Sequence, residues 1–292
     1  MKPIIKYPGG KRQEIPYILP RIPSYAGRYV EPFFGGGAVF FALEPQNAII
    51  GDTNERLMSF YRQVRDGYNS LKSEIDELSF IYNSNESEYR AAVAASPQKR
   101  AKNANEELYY AIRRMFNERD EIMYSDAAMF YFLNKTAFSG LVRTNRQGEF
   151  NAPFGRYEKL DADALSEAHS RLLQKTTVLC GDYSDTLRQC RADDFVFLDP
   201  PYDSVFTNYG NGKNFEEDGH ERLAAAFRAL PCKAMLVIGK TPLTERLYAG
   251  MDAYVYSKRY ALNAKSRANK TTEHMIITNY SYQNDAYGND NK

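Results

Sequence analysis

At 292 residues the chain has room for one large domain, or for one domain with a substantial insertion. Its 38 lysines and arginines stand against 37 acids, so bulk charge neither marks nor excludes a polyanionic partner and must be read locally. Cys180, Cys190 and Cys232 are an odd, widely spaced set without a Cys-x-x-Cys pair or a histidine cluster, which argues against a zinc site or a disulfide framework and fits a reducing cytoplasm.

No apolar run approaches membrane-spanning length, and the first residues contain no apolar signal segment. The opening, Lys6-Tyr7-Pro8-Gly9-Gly10-Lys11, is a glycine turn between basic and aromatic residues. It is either a flexible lead-in or a device that lays a ring and an ammonium over a ligand.

A short strand running to Glu31 is followed by Pro32-Phe33-Phe34-Gly35-Gly36-Gly37, and an apolar helix begins near Ala38. Glycines at that junction allow positive φ and close approach of backbone to a ligand. The spacing is not G-x-G-x-x-G, and the cluster alone is equally readable as a turn. A second strand, Ala48-Ile49-Ile50-Gly51-Asp52, ends in an acid about 20 residues after the first, where cofactor-binding sheets place the acid that takes ribose hydroxyls. Together these elements point to an adenosine-containing cofactor without choosing among them.

From Glu55 to about Leu133 the apolar spacing turns helical, most clearly over Arg56–Val64 and Glu107–Phe116. This reads as a helical insertion between the second and third strands. It closes with a hairpin around Asn145-Arg146-Gln147-Gly148, carrying Lys135, Arg143, Arg146, Arg156 and Lys159 against Glu149 and Glu158. Basic residues there, with Phe138 and Leu141 expected at the tip, suit a DNA groove; an ordinary solvated hairpin is the plainer reading.

A helix over Ala162–Leu173 leads to a third strand, Thr177–Tyr183, whose terminal acid and aromatic, Asp182 and Tyr183, are placed to hold an adenine. The fourth strand, Phe195-Val196-Phe197-Leu198, runs into Asp199-Pro200-Pro201-Tyr202. Proline has no N–H for a ladder, so the strand must stop at Asp199. The motif is either a strand closed by a rigid turn or a clamp for a planar base with an exocyclic amine. In the clamp, Asp199 and a backbone carbonyl accept the amine hydrogens and Tyr202 stacks on the ring.

Residues 203–219 read as a polar loop fit to be a lid, Glu221–Leu230 as a helix and Ala234–Ile238 as a fifth strand. Tyr254–Tyr256 and His274–Thr278 supply the last two strands, making seven. Between them lies an acid-free basic stretch containing Lys265 and Arg267, which is either an exposed loop or a phosphate contact. The tail from Tyr280 is polar, and disorder is expected there.

In order and spacing these features resemble the Dam-like, D12-class DNA adenine-N6 methyltransferases of the α group, and the likeness covers nearly the whole chain. Lys6–Lys11 is similar to the family's K-[WY]-x-G-G-K motif, Phe33–Gly37 to its F-x-G-x-G cofactor loop, and Asp199–Tyr202 to its D-P-P-Y motif. Phe138–Arg143 with Gly148–Gly155 resembles its recognition hairpin, although Phe138-Ser139 stands where the best-known GATC enzymes carry Tyr-Asn.

The resemblance implies an α/β fold: a Rossmann-like mixed seven-stranded methyltransferase domain (1–54 and 160–280) with an inserted, mainly helical DNA-recognition domain (55–159). The hairpin would occupy about 136–157, and 281–292 a flexible tail. The cofactor implied is S-adenosylmethionine, held by Tyr7, Lys11, Glu31, Phe33, Gly35, Gly37, Asp52, Asp182, Tyr183 and Asp199. Catalysis falls to Asp199, Pro200, Pro201 and Tyr202. DNA contact falls to Lys6, Phe138, Ser139, Leu141, Arg143, Arg146, Pro153, Lys265 and Arg267, with Arg143 reading guanine in a GATC-like duplex site.

The expected partner is double-stranded DNA, with a cognate restriction endonuclease as a candidate. The chain is expected to be a monomer without a metal, in the cytoplasm of a prokaryotic or phage-infected cell. The competing readings are an N4-cytosine or RNA-base methyltransferase and a catalytically silent DNA-binding regulator. A nicotinamide dehydrogenase shares the βα logic but leaves Asp-Pro-Pro-Tyr beside a basic hairpin unexplained.

Overall fold

A twisted sheet with helices on both faces organises the chain, and the computed structural model describes residues 1–96, 98, 101–140, 143–202, 217–259 and 271–282. Among these residues the strands are β1 (Tyr29–Glu31), β2 (Ala48–Asp52), β3 (Thr176–Cys180), β4 (Phe195–Leu198), β5 (Lys233–Gly239), β6 (Asp252–Arg259) and β7 (Thr271–Thr278). They form one seven-stranded sheet in the order β3-β2-β1-β4-β5-β7-β6. β1 to β5 run parallel, and β7 lies antiparallel to both β5 and β6.

The order reverses between β1 and β4, which pair at Tyr29↔Phe195 and Val30↔Val196. At that switch point the connections depart to opposite faces, leaving a crevice beyond the carboxyl ends. The glycine loop after β1 and the Asp-Pro-Pro-Tyr segment after β4 both open there.

The near-continuous apolar strands follow from burial on both faces. Successive side chains of β4 alternate: Phe195 and Phe197 join the core containing Tyr29, Ile50 and Val237, while Val196 and Leu198 join that containing Val30, Ile49 and Leu236. All four are buried, at about 1.5–3 kcal/mol each for the transfer from water.

Helices α1 (Ile15–Ile18) and α2 (Ala38–Leu43) flank β1 in sequence; α3 (Glu55–Asp66), α4 (Tyr68–Ala95), α5 (Ala104–Phe116) and α6 (Asp126–Thr136) separate β2 from β3. α6 is the centre of this insertion. Every residue from Ala127 to Leu133 is buried, the pattern of a helix packed on all sides. α3, α4 and α5 surround it, and α3 also packs on α7 (Glu167–Gln174) and β3. The remaining helices are α8 (Tyr183–Leu187), α9 (Glu217–Ala229) and α10 (Pro242–Leu247).

The third strand ends at Cys180 rather than Tyr183, because Asp182 caps α8 and Tyr183 begins it, and three further local expectations change. The helix expected over Ala162–Leu173 is a 3₁₀ turn, Ala162–Ala164, followed by α7. Asp161 caps the first piece, and a Ser166–His169 capping box starts the second. Two caps in six residues divide what apolar spacing alone reads as continuous.

Among the described residues the hairpin is paired without forming a named strand: its arms meet at the bridges Thr144↔Phe150 and Ala137↔Phe154, with the Asn145 amide donating to the Glu149 carbonyl at 2.8 Å and the Asn151 amide to the Arg143 carbonyl at 2.9 Å. Asn145 Oδ1 accepts the N–H groups of Gln147 and Glu149, both at 3.0 Å. The returning arm is also fastened to α5 and its cap, by Tyr109 Oη to the Ala152 carbonyl at 2.8 Å and by Asn117 Nδ2 to the Phe150 carbonyl at 3.0 Å. Phe138 is therefore at the base of the hairpin, in a 3₁₀ turn whose amide donates to the Pro153 carbonyl at 2.8 Å, rather than at its tip.

Tyr280, where disorder was expected to begin, donates its hydroxyl to the Arg21 carbonyl at 2.8 Å and packs against the core. Residues 203–216, expected as a lid, and most of the tail lie outside the described residues.

Candidate active site

β4 delivers Asp199 to the carboxyl edge. Its side chain is 20 % exposed, and Lys11 Nζ meets Oδ1 at 2.5 Å. Burial raises the Asp199 carboxyl above its ordinary range, and Lys11 opposes that rise. Lys11 Nζ also donates to the Gly9 carbonyl at 3.1 Å and stands 4.9 Å from the centroid of the Tyr202 ring. The Gly9-Gly10 turn thus aims a buried ammonium between the two ends of the motif. Pro200 is buried and Pro201 half-buried, which fixes the direction in which Tyr202 leaves the sheet.

The loop after β1 is shaped by positive φ at Gly35 (+48°) and Gly37 (+63°). The Tyr7 ring lies on it so closely that a Cβ at Gly35 would come within 2.9 Å of Tyr7 Cδ1. The Gly35 amide donates to Asp52 Oδ2 and the Asn54 amide to Asp52 Oδ1, each at 2.9 Å. Burial raises the Asp52 carboxyl, and these amides work against it.

Tyr61 Oη donates to the Gly35 carbonyl at 3.2 Å from below. Glu31 is buried and accepts from Tyr29 Oη at 2.8 Å. Burial first, and the nearby Asp199 charge after it, hold its carboxyl well above the usual range. Phe33 and Tyr183 stack at 5.2 Å between centroids. Asp182 is exposed and caps α8 by accepting the Ser184 amide at 3.0 Å.

The structure therefore gathers Tyr7, Lys11, Glu31, Phe33, Gly35, Gly37, Asp52, Asp182, Tyr183 and Asp199–Tyr202 around neighbouring strand ends. Of the residues assigned to DNA, Lys6, Phe138, Ser139, Arg143, Arg146 and Pro153 lie in or against the insertion. Lys6 is clamped by Asn134 through its own amide (2.9 Å, to Oδ1) and carbonyl (2.7 Å, from Nδ2), and its Nζ sits 3.6 Å from the Tyr157 ring centroid.

Burial and the Lys6 charge together bring neighbouring Lys135 down to about 8. Phe138 is 57 % exposed and Ser139 has φ +57°. Arg143 Nε donates to Asn151 Oδ1 at 2.9 Å, and its Nη2 reaches the Asn151 carbonyl at 3.5 Å. Arg146 and Pro153 are exposed. Leu141, Lys265 and Arg267 lie outside the described residues.

Four polar groups complete the surroundings: Glu14, Tyr256 and His274, which the sequence did not mark, and Lys258, read with the basic stretch but lying on β6. Glu14 is 2 % exposed, and its carboxylate accepts from Tyr256 Oη, from Lys258 Nζ at 2.5 Å and from His274 Nδ1 at 3.0 Å. Burial works against ionisation. The bond to His274, the Lys11 charge and the bonds to Lys258 and Tyr256 outweigh it and bring Glu14 to about 2. His274 meets Tyr202 edge-on at 5.1 Å and 88°. None of these residues sits in a short motif, and only the sheet brings them together.

Sheet order, glycine loop and the Asp-Pro-Pro-Tyr edge define a Rossmann-like methyltransferase domain with a helical insertion. The chain belongs to the D12 class N6 adenine-specific DNA methyltransferases, whose family profile matches residues 7–262. It is 35 % identical over 292 residues to the type II methyltransferase M.CviBI of a Paramecium bursaria Chlorella virus, covering 96 % of this chain and 100 % of that one. It is 33 % identical to the type II methyltransferase M.MjaIII of Methanocaldococcus jannaschii, over 96 % and 99 % of the two chains. A DNA adenine methylase of Vibrio cholerae is 28 % identical, over 93 % and 94 %. The protein is a DNA adenine-N6 methyltransferase. Among the described residues no helix is long and apolar enough to cross a membrane.

Proposed function

We propose that the enzyme uses S-adenosylmethionine to methylate an adenine turned out of a short duplex site, with Asp199 and the Pro200 carbonyl as the acceptors that orient N6. The observation that carries this reading is the adjacency of the Gly35 loop and Asp199 at the switch point, beneath Tyr7 and Lys11. The residues fit the cofactor: backbone without side chains at Gly35–Gly37, an acid at the ribose position, an aromatic pair beyond it, and buried carboxylates for its positive charges. Bound there, it supplies a sulfonium methyl open to in-line attack.

Asp52 would accept the ribose hydroxyls with the lone pairs its backbone amides leave, and Phe33, Asp182 and Tyr183 would border the adenine. Tyr7, Lys11 and Glu31 would enclose the methionine end. Asp199 must be ionised to accept from N6, and Lys11 favours that form. Bonds from N6 to Asp199 and the Pro200 carbonyl draw the nitrogen lone pair out of ring conjugation and aim it along the transfer line. Tyr202 provides the face on which an extruded base stacks. No enzyme nucleophile is required.

Residues 55–159 are the proposed recognition unit. Arg143 would read a guanine edge, Phe138 would wedge at the base step beside Ser139, and Lys6, Arg146 and Pro153 would follow the backbone. Leu141, Lys265 and Arg267 complete the proposed contact set, the last two as phosphate ligands. A GATC-like site is the proposed target, with a cognate restriction endonuclease as partner in keeping with the type II names of the relatives. A monomer in a prokaryotic or phage-infected cytoplasm is the proposed state.

Incubating the protein with duplex DNA and tritiated S-adenosylmethionine, then identifying the modified nucleoside, tests the chemistry. N6-methyladenosine in one sequence context is expected. N4-methylcytosine, labelled RNA in preference to DNA, or no label would overturn it. Methylation-aware sequencing of DNA from expressing cells gives the site.

A further inference from the structure

The 3₁₀ turn Lys11–Gln13 grips both ends of the Asp-Pro-Pro-Tyr motif. Lys11 and Glu14 stand one turn apart, joined by the Glu14 amide donating to the Lys11 carbonyl at 2.8 Å. Lys11 reaches forward to Asp199. Glu14 reaches the other way, to His274 on β7 and to Tyr256 and Lys258 on β6.

We propose that Glu14 and His274 are positioning residues for methyl transfer, which fix the Tyr202 ring against which the target base stacks. The inference rests on the assignment of Tyr202 as the stacking residue.

An ionised carboxylate only accepts hydrogen bonds, so the hydrogen on the 3.0 Å line to Glu14 belongs to His274 Nδ1. That assignment fixes the imidazole. Tyr202 Oη lies 3.5 Å from the same nitrogen, beyond the ordinary O–H···N length, so the coupling runs through the ring contact. The two rings meet at 88°, the edge-to-face arrangement in which one quadrupole orients the other.

Tyr256 lies at 65° to His274 and stacks on Tyr17 at 4.8 Å, so the histidine is held on its second side as well. The Tyr202 ring thereby meets both the Lys11 ammonium, 4.9 Å from its centroid, and the perpendicular His274 ring. A buried carboxylate with three donors is a costly way to brace a strand that a hydrophobic residue would brace as well. Its placement three residues from Lys11 is what ties that cost to the motif.

The test is a double-mutant cycle on the single-turnover rate of methyl transfer to a duplex, measured well below the melting temperature of every variant. Glu14→Gln is expected to slow transfer on the order of tenfold to a hundredfold, the penalty of a reacting group displaced by a fraction of an ångström. Tyr202→Ala alone should slow it further. Glu14→Gln added to Tyr202→Ala should then cost less than about twofold more, because the residue it positions is gone.

His274→Gln, which keeps a donor for Glu14 but removes the ring, provides a second cycle and the same pattern is expected. Losses that multiply in full, or an unchanged rate in Glu14→Gln, would overturn the inference. The wild-type rate and product test the methyltransferase reading separately, whereas the ratios among variants test only the positioning.

Discussion

Lys11 Nζ stands 2.5 Å from Asp199 Oδ1, joining the amino-terminal glycine turn to the end of β4. Burial alone would favour a protonated Asp199, and Lys11 is the charge that offsets it. The pair therefore sets the pH at which Asp199 ionises, the form in which it is proposed to accept from N6.

Lys11→Met should raise the Asp199 pKa and move the acid limb of the transfer rate to higher pH, because the removed charge favoured the ionised form. Lys11→Arg should return most of that shift. A pH–rate profile of single-turnover transfer checks this, and an acid limb that stays in place in Lys11→Met would falsify the assignment of that limb to Asp199.

Glu14 titrates at about 2 in the folded chain against 4.5 ordinarily, so its ion and hydrogen bonds stabilise the fold fully above about pH 4.5. That contribution, about 3 kcal/mol, is lost as pH falls from there toward 2. Denaturant melts from pH 7 down to pH 2 should show Glu14→Gln less stable than wild type at neutrality, with the gap closing in acid. Parallel curves across that range would contradict the assignment.

Gly35 combines φ +48° with a Tyr7 ring atom 2.9 Å from where a Cβ would stand. Gly35→Ala should cost about 1–2 kcal/mol from the left-handed backbone alone, with the displaced ring adding to it. Calorimetric titration with S-adenosylmethionine should show at least tenfold weaker binding, since the same surface is assigned to the cofactor. Binding as tight as wild type would place the cofactor elsewhere.

Arg143 and Arg146 should separate cleanly. Arg143→Ala should lose about 1–3 kcal/mol of discrimination at a single base pair, whereas Arg146→Ala should weaken all duplexes alike and lower the salt slope by about one. Competition assays with single-substitution duplexes at two salt concentrations decide it. A uniform loss in Arg143→Ala would make it a phosphate ligand.

Much of the fold is legible in the sequence. Seven strands, the helical insertion between β2 and β3, and the acids and glycines at strand ends all follow from local signals. β4 reads as buried because four apolar residues precede two prolines, and a proline cannot extend a ladder. The same local rules missed the break at Asp161–Ser166, where two caps outweigh apolar spacing, and misplaced Phe138, whose amide pairs with the Pro153 carbonyl where the two arms begin.

The sequence by itself determined the chemistry on offer: which side chains exist, their order, and the glycines that only a close backbone approach would use. Tertiary structure alone decided which of them face one another. Glu14 and His274 are 260 residues apart and belong to no motif, yet they share a hydrogen bond beneath Tyr202. Sheet order placed β7 next to β5, and the amino-terminal turn folded across that edge. Contacts of that kind depend on how elements pack, and local periodicity carries no record of packing partners.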